Sequence, residues 1–94
     1  MSQIYYIFEK TFYHNMFTKN IYSFDDKQHI LTTNQNKFEI PIAFSSVEKA
    51  REYLSQHSNL KEVDFLNFTS NYQTTLDDVV FKFTKYTIKS ANII

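Results

Sequence analysis

Not one residue of this 94-residue chain is glycine. Average usage would place about six or seven there. Every phosphate-cradling or nucleophile-presenting loop that depends on glycine is therefore excluded: the Walker A loop, the dinucleotide fingerprint and the G-x-S-x-G elbow. The constraint also reaches the fold. Reversals must be made by Asn, Asp, Ser or His, because Asn and Asp are the residues left that tolerate left-handed backbone. The absence of cysteine removes disulfides, zinc ribbons and thiol chemistry.

Ten basic and ten acidic side chains cancel, so no global field favours nucleic acid or an anionic surface. The only arginine is Arg51. The segment MSQIYYIFEKTFY lacks a basic n-region and a small-residue cleavage site. No apolar run approaches the ~20 residues that span a bilayer. These features set the expectation of a cytoplasmic protein with no membrane association, and they leave the sequon at Asn67 without a secretory context. Heavy use of Phe, Tyr, Ile, Asn and Lys is what AT-rich codons produce.

Patterning gives one α+β domain over residues 1–94, with no linker, repeat or low-complexity stretch. From Gln3 to Tyr13, Ile4, Tyr6, Phe8 and Phe12 share one face at period two, and Lys10 interrupts that face. His14-Asn15 reads as a turn into a weaker strand, Met16 to Phe24. Asp25 to Gln28 reads as a polar turn, His29 to Thr33 as a short strand and Asn34 to Lys37 as the next turn. Phe38 to Phe44 alternates most cleanly, and Pro41 places it at a sheet edge or near a bulge. Ser45 and Glu48 fit a capping box, which opens a helix over about residues 46–57. Its stripe is Val47, Ala50, Leu54 and His57, and Asn59 is the expected left-handed C-cap. Glu62 to Thr69 reads as one strand, and Asn71 to Asp78 as a loop with room for a helical turn at Thr74 or Thr75. Residues 79–89, VVFKFTKYTIK, fit a strand. A helical stripe of Leu76, Val79, Val80, Phe83 and Tyr86 or Thr87 also fits, but the β-branched and aromatic content favours the strand. The sum is a mostly antiparallel sheet of about five to six strands with the helix packed on one face.

Catalytic signals are weak. His14, His29 and His57 lack metal-ligand spacing. His29 follows Asp26 by three positions, which a solvated turn explains, and His57 closes the helix, where an imidazolium meets the helix dipole. Asp25-Asp26 and Asp77-Asp78 are turn residues in a chain without glycine. Ser45-Ser46 is explained by capping. The expectation is no enzyme, no cofactor, no metal and no small-molecule substrate.

Ten Phe and seven Tyr are more than so small a core encloses, so some rings should face solvent, where Tyr is common in protein contacts. The leading expectation is a protein–protein interaction module, an inhibitor or adaptor of the kind mobile elements or phages encode. It would act through an aromatic sheet face or strand edge, on a second copy as a homodimer or on a larger host protein. The alternative is weak single-stranded nucleic-acid binding by the interleaved C-terminal strand, with Lys82, Lys85, Tyr86 and Lys89 as contacts.

Overall fold

The structure, a computed structural model, describes residues 3–25, 27–75 and 77–92. In chain order its elements are β1 (Gln3–Asn15), β2 (Ile21–Tyr22), β3 (His29–Ile30), β4 (Thr32–Gln35), β5 (Phe38–Pro41), α1 (Val47–Ser55), β6 (Leu60–Asp64), β7 (Asn67–Ser70), β8 (Gln73–Thr74) and β9 (Val80–Asn92). The expected α+β architecture is present. A seven-stranded antiparallel sheet runs β2-β1-β9-β7-β6, with β3 also on β1 and β8 also on β9. The β4–β5 hairpin forms a separate two-stranded sheet. Among the described residues, no helix is long and apolar enough to cross a membrane.

The centre is a ribbon of β1 and β9, paired in register from Gln3↔Asn92 to Asn15↔Val80. Residues 80–89 are thus strand, with Val79 in the bend that precedes it. Facing residues share a sheet face, so the register sorts the ribbon into two rows. One holds Tyr5, Ile7, Glu9, Thr11 and Tyr13 with Ser90, Ile88, Tyr86, Thr84 and Lys82. The other holds Tyr6, Phe8, Lys10, Phe12 and His14 with Lys89, Thr87, Lys85, Phe83 and Phe81.

Helix α1 packs on the first face. Its Ala50 and Leu54 join Ile7, Ile88 and Phe68 of β7 in the buried core, with Tyr5, Leu31, Phe44, Tyr53, Leu60 and Tyr86 around them. Full burial of a side chain such as Leu54 contributes roughly 1.5–3 kcal/mol. Arg51 ties the helix to the β6–β7 hairpin. Its guanidinium donates to the Phe65 carbonyl, pairs with Glu62 at 2.7 Å and lies 4.4 Å from the Phe65 ring centroid.

The N-cap is Ser46, whose Oγ accepts from the Lys49 amide (3.2 Å), rather than Ser45. Ser45 and Ser46 are equivalent to local chemistry, and the position of Ala50 and Leu54 against the sheet decides between them. The C-cap is Gln56 in right-handed geometry, not Asn59. After it, the Leu60 amide bonds the His57 carbonyl and the chain passes directly into β6.

Other segments are shorter or more divided than their patterns suggest. His14 and Asn15 belong to β1, and of Met16–Phe24 only Ile21 and Tyr22 pair. The stretch His29–Thr33 divides between two sheets, because the Leu31 amide bonds Ile7 while Thr32 joins β5. Asn34 and Gln35 belong to β4, leaving Asn36 and Lys37 as the turn. The strand from Phe38 ends at Pro41, which pairs with Thr32 in a two-stranded sheet; the Ile42 amide still bonds the Leu31 carbonyl, and Phe44 rejoins as a single bridge to Tyr5. Glu62–Thr69 is a hairpin: Asp64 accepts from the Leu66 amide (3.0 Å) and from Asn67 Nδ2 (2.8 Å), and so turns the chain at Phe65-Leu66. Thr74 lies in β8 rather than in a helical turn. The readings that used Asp26 and Leu76 lie outside the described residues.

Glycine's work is done by polar side chains and a few strained residues. Asn15 Oδ1 accepts from the Phe17 and Thr18 amides, and Lys19 takes φ 60°. Asn36 and Lys37, at φ 51° and 68°, form the two-residue turn of the β4–β5 hairpin. Asp77 Oδ1 accepts from Thr75 Oγ1 (2.6 Å) and from the Val79 and Val80 amides, while Asp78 takes φ 57°.

Candidate functional site

The ribbon outruns its helix. On the α1 face, helix and core cover the rows of Tyr5, Ile7 and Glu9. Beyond them, Thr11 and Thr84 share a hydroxyl hydrogen bond of 3.0 Å. The next row, Tyr13 and Lys82, has no helix above it. There Tyr13 stacks on Tyr22 (5.7 Å between centroids) and tilts against Phe24 (4.9 Å), and Tyr22 meets Phe24 edge-on (5.5 Å). Ser23 Oγ holds this flap by donating to the Thr11 carbonyl (2.7 Å). Phe24 is 75% exposed, and Phe17, at the turn beyond β1, is 83% exposed. Met16 and Tyr22 are exposed as well, and so, on the opposite face across from His14, is Ile21. The free end of the ribbon is therefore an apolar surface.

Among the described residues, the opposite face carries no helix. Phe83 is buried there beneath Phe12 (5.6 Å, stacked) and Tyr72 (5.0 Å, stacked). His14 meets Tyr72 edge-on, and its Nδ1 is buried without a hydrogen-bond partner. Next to this cluster, Lys10 lies directly across from Lys85, and both ammonium groups sit over the Phe12 ring, at 5.5 and 5.1 Å. Lys89 sits 5.0 Å over Phe8 and donates to Gln28 (2.7 Å). The register continues through Lys85↔Thr69 to Thr69↔Lys61, so Lys61 belongs to the same row.

The four residues singled out in the C-terminal strand are divided between these faces. Lys85 and Lys89 are on the helix-free face. Lys82 is across from Tyr13, beside the aromatic end. Tyr86 lines a cavity of about 100 Å³ with Leu31, Tyr53, Leu54, His57 and Leu60. Burial, and then the Glu9 carboxylate, raise its phenol above the ordinary value. The sequence carried a signal for Lys10, a lone charge in an apolar alternation. Lys61 needed the strand register, and the end patch needed the length of the ribbon relative to its helix.

The remaining polar groups have structural partners. His57 Nδ1 donates to the Tyr53 carbonyl (3.0 Å) at the end of the helix. His29 Nε2 lies 3.5 Å from Asp25, with both side chains 62% exposed. Among the described residues, no three His, Asp or Glu side chains group as a metal site. No known protein family, curated protein or solved structure matches this chain.

Proposed function

We propose that this protein is a non-enzymatic protein-binding module, an inhibitor or adaptor, that docks through the apolar free end of its central ribbon. The observation that carries this reading is surface in excess of mass. The accessible area is 6981 Å², whereas a compact monomer of this size exposes about 5700 Å². The difference exceeds the ~800 Å² that one partner contributes to a standard interface. Part of that surface is the end patch of Tyr13, Tyr22 and Phe24, with Met16 and Phe17 exposed at the turn beside it, of the kind that marks interaction sites. Rings locked against one another lose little freedom on docking, which favours them as anchors.

The test pairs tagged wild-type protein with a Phe17→Ser/Phe24→Ser variant, in pull-downs from the host of origin and in light scattering at two concentrations. The reading expects either a partner or a concentration-dependent dimer that the variant loses while its circular dichroism is unchanged. A partner retained equally by both proteins, or no partner and no dimer for the wild type, overturns it.

A further inference from the structure

We propose that the helix-free face of the sheet is a single-stranded nucleic-acid site, with Lys10, Lys61, Lys85 and Lys89 holding phosphates and Phe8 and Phe12 receiving bases. This face is separate from the ribbon end and does not rest on the reading above.

Three observations carry it. First, Lys10 and Lys85 are a directly opposed cross-strand pair of like charge, an arrangement that costs stability in an isolated sheet. Among the described residues, the ion pairs are His29–Asp25 and Arg51–Glu62, so no carboxylate neutralises either lysine. Second, the chain is neutral overall but this face is not. Among the described residues, it sets against its four ammonium groups one carboxylate, Asp64, which already accepts from Asn67 and the Leu66 amide. Asn67 and Thr87 hydrogen-bond to each other beside it. Third, the cations lie over rings, two on Phe12 and one on Phe8. A polyanion whose repeating unit also carries a flat π-system satisfies both: phosphates draw the ammonium groups outward, and bases take their place over the rings. An acidic peptide would meet the charges and leave the rings unused.

The row Lys10, Lys85, Thr69, Lys61 runs across four strands, so its backbone track crosses the strands roughly at right angles. That geometry, with rings and lysines on an open sheet, is one in which single strands are bound without base-edge readout.

The experiment is fluorescence anisotropy of a labelled oligothymidylate. Neutralising three to four phosphates gives a log–log salt slope of about −2 to −3, which is about 20- to 60-fold weaker binding at 200 mM than at 50 mM salt. Lys10→Gln/Lys85→Gln should reduce the magnitude of that slope by about 1.4. Phe8→Leu should weaken binding about tenfold at unchanged slope, and Lys49→Gln, on the helix, should leave binding as it is. Circular dichroism verifies that each variant is folded. No saturable binding at 50 mM salt, or equal binding by the Lys10/Lys85 variant, overturns the site. Displacement by polyglutamate with no effect of Phe8→Leu overturns the nucleic-acid assignment in favour of an acidic protein. Neither result bears on the pull-down at the ribbon end.

Discussion

Single side chains carry the punctuation of this fold. Ser46→Ala should cost about 1 kcal/mol in chemical denaturation, because the Lys49 amide loses its acceptor, whereas Ser45→Ala should change little. Asp77 sets a pH dependence. The Thr75 hydroxyl, then the Val80 and Val79 amides, hold its carboxyl below the ordinary value of 3.8. A carboxyl depressed in the folded state contributes stability that is complete above the unfolded value and lost as pH falls through the folded one. Acid titration should therefore destabilise the wild type below pH 3.8 more than it destabilises Asp77→Asn. A parallel loss in both proteins would assign the effect elsewhere, Asp64 being the other such carboxyl. Asp77's turn role could be read directly from the sequence, since a glycine-free reversal needs an Asx side chain. The choice of Ser46 over Ser45 could not, because one step of helix phase is decided by what the helix packs against.

At the scale of elements, the two long strands were legible and the short ones were not. β-Branched and aromatic alternation over Gln3–Tyr13 and residues 79–89 exceeds anything a turn can contribute, so tertiary context had little to override. The two-residue strands β2, β3 and β8 have no period of their own and exist only because β1 and β9 offer them an edge. The same dependence on neighbours hid the candidate nucleic-acid face, which only the register assembles from β1, β6 and β9. Two element-scale changes should stabilise the protein. Lys37→Gly relieves a side chain held at φ 68° in the β4–β5 turn and should add up to about 1 kcal/mol by urea denaturation, since an Asn-Gly pair suits that turn. Lys85→Glu places an opposite charge across from Lys10 and should add about 0.2–1 kcal/mol. A loss of stability in the second variant would mean that the lysines' contacts with Phe12 outweigh their repulsion.

For the molecule as a whole, the governing fact is extent. The Cα radius of gyration is 15.1 Å, whereas a compact chain of this length gives about 12 Å. The helix-packed core occupies one half of the ribbon, and the other half keeps only Phe83, buried beneath Phe12 and Tyr72, beside its apolar end, so stability cannot be uniform along it. Hydrogen exchange should show the slowest amides around Ile7 and Ile88 and markedly faster ones from Tyr13 to Tyr22 and around Lys82. Even protection along both strands would contradict that gradient. The ribbon also has a consequence in time. Residues 16–79 all lie between its two strands, and at ~5–20 residues per second a ribosome needs on the order of seconds to make them. Until β9 emerges, β1 has an aromatic face without its partner strand and an unpaired edge. The nascent chain is then most open to aggregation or to capture by a chaperone.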